Sequence, residues 1–185
     1  MAAGPEPDTP ANTDMESTRT ARLVEAMTAY DRGDTLRIQH FIKVHDLAMT
    51  IGVLEGMSGK ELDILETAAI LHDIGIHPAE AKYGNCAGPH QEELGPAEAE
   101  KLIAEVNEKL DVPIGADEIE RVKFLIAHHH TYSGIDSPDW QILVEADFLV
   151  NLFEDGEDKN AVLKVREKIF RTESGKRILD DMFGL

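Results

Sequence analysis

A histidine and an aspartate interrupt an otherwise apolar segment, Ala68 to Ile76, which reads AAILHDIGI. An ionised carboxylate in apolar surroundings is costly to desolvate unless it is paired or binds a metal ion. We therefore expect a positive group to meet Asp73. For this single carboxylate, an arginine or a helix N-terminus would serve as well as a metal.

Two further polar side chains lie on apolar helical faces. In residues 36–54, apolar side chains recur every three or four positions, and His40 lies on that stripe. Asp147 is one turn from Leu143 and Val150 and is directed inward with them. Helical bundles build metal sites from helices that each direct an imidazole or a carboxylate inward. The three segments together therefore predict a metal site.

The rest of the chain has the pattern of a helical protein. Gly and Pro fall between periodic segments of helical length, and no strand pattern emerges. The sequence predicts one all-α domain of about seven helices at residues 18–185, after an acidic, proline-containing tail at residues 1–17 that we expect to be disordered. Predicted helices cover approximately residues 18–31, 36–54, 59–72, 91–110, 117–129, 139–153 and 159–183. Ser58 is the expected N-cap of the third, the last is expected to break at Gly175, and residues 75–89 are predicted to be a long loop.

Composition narrows the range of partners. The chain has 18 Lys and Arg against 36 Asp and Glu, a formal charge of -18, so its surface should repel nucleic acid polymers. A small phosphorylated ligand remains compatible with this charge, because a metal and a few local cations can hold it.

The remaining features concern reactivity, location and assembly. Cys86 is the single cysteine and is expected to be a bystander. Without a secretory signal or a membrane-spanning segment, the expected location is the cytoplasm. The last helices suit either a lid on the core or a homodimer face.

The order of the polar residues resembles a known ligand pattern. His40, His72 with Asp73, and Asp147 resemble the HD superfamily of metal-dependent phosphohydrolases, and the contexts RIQHFIKVHDLA, AAILHDIG and EADFLVN resemble its motifs over residues 36–153. The resemblance implies an HD-domain fold in which these four residues bind a divalent metal and Asp73 is the central ligand. His45, five positions after His40, is assigned to the surface.

Further histidines resemble the HD-GYP branch of that superfamily. The resemblance implies that His90, His128 and His129 complete a second metal site, or that His128 or His129 donates a proton. The glycine-tyrosine-proline motif is replaced by GIDSP, and an expected glutamate is replaced by His130. These departures argue against cyclic di-GMP hydrolysis. They leave open one metal or two, since the same histidines could instead line the pocket or bind phosphate.

The expected chemistry follows from the ligands and the resemblance. Mixed imidazole and carboxylate ligands suit divalent Fe, Mn, Co, Ni or Zn. The resemblance implies hydrolysis of a small phosphomonoester, nucleotide or dinucleotide by metal-activated water, with Asp73 and His128 as catalytic residues. Candidate substrate-binding residues are Arg37, Lys43, Lys82 and Tyr83, although Arg37 could equally brace a carboxylate. Two alternatives stay open, namely a non-catalytic sensor or binding module stabilised by its metal, and a di-iron oxygenase.

Overall fold

The computed structural model describes residues 13–185, with side chains from residue 18 onward. Over that range the chain forms nine helices and no strand, which confirms the all-α class and corrects the expected number of about seven helices. Residues 1–12 of the predicted tail lie outside the described residues, and residues 13–17 are helical. The helices are α1 (Thr13–Tyr30), α2 (Thr35–Leu54), α3 (Lys60–Leu71), α4 (Ile76–Tyr83), α5 (Gly88–Asn107), α6 (Ala116–Ile126), α7 (Pro138–Glu154), α8 (Lys159–Lys168) and α9 (Glu173–Phe183).

The prediction of a long loop at residues 75–89 was wrong, because α4 lies within it. Pro78 is in the first turn of α4, where a proline costs no helical hydrogen bond. Gly84 ends the helix with a positive φ of 73°, a conformation that favours glycine. The residues that suggested a loop are therefore the start and stop signals of a short helix.

Other predicted boundaries also need correction. Gly59, not Ser58, is the N-cap of α3, and it provides no side-chain hydrogen bond. The predicted break at Gly175 was wrong, since the last two helices separate at residues 169–172 and Gly175 lies within α9. At the start of the stripe on α2, Leu36 is 82% exposed, so the buried face of that helix begins only at His40.

The centre of the fold is α2, which packs against α3 on one side and α7 on the other. Its buried residues Phe41, Val44 and Ile51 meet a core in which α7 is buried around most of its circumference. Val162 of α8 and Leu179 of α9 are also buried, so the C-terminal helices close part of this core. None of the described helices combines the length and hydrophobicity that crossing a membrane requires.

Candidate metal centre

Four packed helices, α2, α3, α6 and α7, bring five of the predicted ligands together. His40 is buried within α2, and Asp147 is buried within α7. His72 and Asp73 occupy the turn directly after α3, and His129 occupies the turn directly after α6. The carboxylates and imidazoles that the sequence places on separate segments thus meet in one interior cluster.

The inner part of the cluster surrounds the Nε2 atom of His40. This atom lies 3.2 Å from His72 Nε2, 3.2 Å from Asp147 Oδ1 and 3.7 Å from Asp73 Oδ2. His72 Nε2 lies 3.6 Å from Asp147 Oδ1 and 3.7 Å from Asp73 Oδ2. Four potential ligand atoms therefore face one small space.

Asp73 also faces a second group of nitrogens. Its Oδ1 atom lies 3.0 Å from His129 Nε2 and 3.9 Å from His130 Nε2. Two groups could each hold a metal ion, His40 with His72 and Asp73, and Asp73 with His129 and His130. Because Asp73 belongs to both groups, the geometry fits one cation or two cations that share this carboxylate.

Hydrogen bonds at the outer nitrogens fix the orientation of three rings. His72 Nδ1–H donates to the carbonyl oxygen of Ala69 at 2.9 Å, and His129 Nδ1–H donates to that of Ile126 at 2.7 Å. His40 Nδ1–H donates to Glu154 Oε2 at 2.9 Å. In each neutral ring the Nε2 lone pair is therefore directed into the cluster.

Such an arrangement of lone pairs fits a cation. With neutral rings, Nε2 lone pairs of His40 and His72 face each other, and that of His129 faces a carboxylate oxygen of Asp73. These contacts repel unless protons or a metal ion lie between the atoms. Imidazole nitrogens and carboxylate oxygens that are buried and held in place by outer hydrogen bonds are suitable ligands for a divalent cation.

Electrostatics in the cluster favour ionised carboxylates. Burial alone would raise the pKa of Asp73 and Asp147, but hydrogen bonds and charge from the neighbouring histidines outweigh burial and hold both pKa values below the usual range. Burial lowers the pKa of His40, yet Asp147 and Asp73 raise it to a net value of about 9, and the pKa of His129 is likewise raised. Protons and a metal ion thus compete for the same nitrogens.

His130 is a potential ligand that the sequence analysis did not assign. Its Nε2 atom is buried without a hydrogen-bond partner, and its Nδ1 atom lies 3.2 Å from the Tyr132 hydroxyl. Burial, followed by the charge of His129, lowers the pKa of His130 to about 4, so the ring is neutral at physiological pH. A neutral imidazole with an unpartnered nitrogen beside Asp73 is suited to metal binding.

The structure does not bring His128 or His90 into either of the two groups. His128 Nδ1–H donates to the Phe124 carbonyl oxygen at 2.7 Å, and its ring stacks on that of Phe124 with centroids 4.2 Å apart. The His90 ring stacks on Tyr83 at 4.0 Å, and its Nδ1 lies 3.0 Å from Asn85 Oδ1. Packing therefore accounts for the placement of both side chains.

The predicted substrate-binding residues are already paired with carboxylates. Arg37 contacts Asp34 at 3.2 Å and Glu80 at 2.9 Å, which is the bracing alternative that the sequence left open. Lys43 pairs with Glu154, the same residue that accepts the His40 hydrogen bond. Lys82 and Tyr83 both donate to Glu93, at 2.9 and 2.8 Å. His45, assigned to the surface, is partly buried with its Nε2 3.1 Å from Glu66 Oε1.

Comparisons with known proteins agree with this geometry. The sequence model of the HD domain matches residues 37–171, which include every residue of the cluster. A solved structure of a predicted HD superfamily hydrolase from an uncultured Thermotogales bacterium superimposes with a TM-score of 0.62 at 23% sequence identity, covering 89% of this chain and 84% of that chain. The comparison with curated proteins finds no match. The likeness to the solved structure shows a shared fold.

Proposed function

The chain belongs to the HD-domain family, and from this premise we propose that it is a metal-dependent phosphohydrolase acting on a small phosphomonoester, nucleotide or dinucleotide. The observation that carries the proposal is the position of Asp73, whose two oxygens face two separate sets of imidazole nitrogens. A structural carboxylate needs hydrogen-bond donors, whereas the neutral rings of His72 and His129 each direct an Nε2 lone pair, an acceptor, toward Asp73. A carboxylate shared between two such sets is suited to bind one or two cations at the point where a phosphoester is cleaved.

The residues of the cluster form two ligand sets, one on each side of Asp73. His40, His72, Asp73 and Asp147 would bind one divalent ion, and His129 with His130 would extend the site on the other side of Asp73. The ion supplies positive charge that polarises a phosphoryl oxygen and acidifies water. Because the leaving oxygen gains negative charge as the phosphoester bond breaks, a preorganised cation in a buried site would favour the transition state.

A carboxylate outside the cluster, Glu154, holds the His40 ring in place. Glu154 accepts the Nδ1–H of His40 and is itself paired with Lys43, so a surface lysine supports the orientation of a buried ligand. Carboxylate contacts of this kind increase the basicity of a ligating imidazole. Lys43 therefore acts through His40, and we propose a positioning role for it in place of substrate binding.

A hydrolysis assay tests the proposal directly. The full chain would be incubated with Mn, Co, Ni or Fe and a panel of p-nitrophenyl phosphate, nucleoside monophosphates and dinucleoside polyphosphates. We expect phosphate release that depends on metal and falls at least about 100-fold in Asp73→Ala. His45→Ala is the matched control, because this histidine pairs with Glu66 outside both groups.

Two results would contradict the proposal. Turnover that survives Asp73→Ala would place the chemistry elsewhere. Absence of turnover across the whole panel, together with a sharp loss of thermal stability on chelation, would instead identify a binding module stabilised by its metal. His130→Ala and His128→Ala should separate in metal content, with the loss confined to His130→Ala.

A further inference from the structure

A second concave site lies beside the metal centre. It is a cavity of about 270 Å³ between the loop after α6, the start of α7 and the end of α8, and its lining includes Tyr132, Gln141, Lys168, Ile169 and Arg171. Pockets for whole drug-sized ligands usually measure about 300–1,000 Å³, so this one suits part of a ligand, such as a phosphate with an attached sugar.

Charge distinguishes this cavity from the rest of the molecule. Residues 159–177 contain seven of the 18 Lys and Arg residues but only two of the 36 Asp and Glu residues. Lys168 and Arg171 both line the cavity, and no acidic residue does. In a chain of charge -18, a site with two cations and no carboxylate selects an anion over other ligands.

Both cations retain donors for a ligand. Within the described residues, the Lys168 ammonium has no ion pair or hydrogen bond. The Arg171 guanidinium donates to the carbonyl oxygens of Glu167, Lys168 and Phe170 at 3.1, 2.6 and 2.9 Å. Because a guanidinium has five N–H donors, these bonds fix its orientation and leave Nε–H and one Nη2–H available.

Tyr132 joins the cavity to the metal centre. Its ring lines the cavity and packs against Phe148 with centroids 5.0 Å apart. Its hydroxyl lies 3.2 Å from His130 Nδ1, and the opposite nitrogen of that ring lies 3.9 Å from Asp73 Oδ1. One imidazole and one phenol ring therefore separate Asp73 from the cavity.

We infer that the cavity beside Tyr132 binds a second anionic group of the substrate, through Lys168 and Arg171, while a first phosphoryl group occupies the metal centre. The inference rests on the proposed phosphohydrolase function and narrows its substrate class. The preferred compounds carry two phosphates separated by a ring-containing linker, and a simple phosphomonoester is a poorer ligand.

Binding measurements test this inference apart from catalysis. Isothermal titration calorimetry on the metal-loaded full chain, at 150 mM salt, would compare adenosine 3′,5′-bisphosphate with adenosine 5′-monophosphate. We expect the wild type to bind the bisphosphate at least about fivefold more tightly, and Lys168→Ala to remove the preference. Lys164→Ala is the matched control, since it removes another exposed charge from the same helix one turn before the cavity.

The outcomes separate the two proposals. Equal affinities in the wild type, or a preference that survives Lys168→Ala or is lost equally in Lys164→Ala, would overturn the inference. If the preference depends on Lys168 but neither compound is hydrolysed, the anion site stands and the phosphohydrolase function fails. If both compounds are hydrolysed without a preference, the function stands and the second site fails.

Discussion

Glu145 provides the most direct test of how the C-terminal helices are attached to the core. This fully buried carboxylate of α7 accepts hydrogen bonds at Oε1 from Gln141 Nε2, Arg171 N and Thr172 N, at 2.8, 2.5 and 3.0 Å. Its Oε2 accepts a hydrogen bond from the hydroxyl of Thr172, and Thr172 is the N-cap residue of α9. One side chain thus satisfies donors at the start of α9.

The substitution Glu145→Gln keeps the shape of this side chain and removes its charge. A hydrogen bond to a charged group contributes about 1 kcal/mol more than a neutral one, and three donors meet Oε1, so the free energy of unfolding should fall by about 3 kcal/mol. For a chain of this size that corresponds to a fall in Tm of about 6–12 °C.

Urea unfolding followed by circular dichroism measures the effect. We expect a lower midpoint with an unchanged m-value, because the unfolded chain exposes the same surface. Glu167→Gln is the control, since it makes the same chemical change at an exposed position and should stay within about 0.5 kcal/mol of the wild type. A Glu145→Gln protein as stable as this control would refute the assignment of Glu145 as the anchor of α9.

Three further predictions concern packing, metal and pH. In Gly175→Ala, the new Cβ would overlap the Glu145 carboxylate and lie 2.6 Å from Thr172 Oγ1, so urea unfolding should show a loss of about 1–3 kcal/mol. Chelation should lower the Tm by about 5–11 °C, the value for a metal at 100 times its Kd, and Asp147→Asn should remove this response in a thermal melt. Burial raises the pKa of Asp31 from 3.8 to about 6, so its ionisation destabilises the fold as pH rises from 4 through 6. Asp31→Asn should therefore add up to about 3 kcal/mol at pH 7.5 and little at pH 4, as urea midpoints at both pH values would show.

Helical periodicity was sufficient to predict that His40 of α2 and Asp147 of α7 enter the core. His40 and Asp147 lie within long regular helices, where a residue's face follows from its position relative to apolar neighbours. The same rule failed for Leu36 in the first turn of α2, because only part of a helix is covered by its neighbours. Periodicity specifies a face, and the tertiary packing decides how far along the helix that face is buried.

Ion pairs between side chains that are distant in the sequence could not be predicted from the sequence. Lys43 and Lys82 were predicted to bind substrate because they lie near the ligand motifs, yet each pairs with a glutamate, Glu154 and Glu93 respectively. In a chain with twice as many acidic as basic residues, most cations will find a carboxylate. The sequence analysis did not predict a role for Lys168 and Arg171, which line the cavity, because both lie after Asp147, the last residue of the ligand pattern.

Histidine placement after α6 shows why adjacent residues can share one metal site. In a regular helix, neighbouring side chains diverge by about 100°, so the helix predicted at residues 117–129 would have separated His128 from His129. The helix ends at Ile126, and the three histidines occupy a turn. The His128 side chain donates Nδ1–H to the carbonyl oxygen of Phe124, and its ring stacks on the ring of Phe124.

The pair His72 and Asp73 follows the same rule at the end of α3. His72 and His129 each donate Nδ1–H to the carbonyl three residues back, at Ala69 and Ile126. The last carbonyls of a helix lack partners within the helix, so each ring is held by the terminus that it caps, with Nε2 directed inward. The residues that follow these two histidines, Asp73 and His130, face the same space as the histidine before them. Two helix ends of the same construction, meeting at Asp73, therefore produce the two ligand groups of the centre.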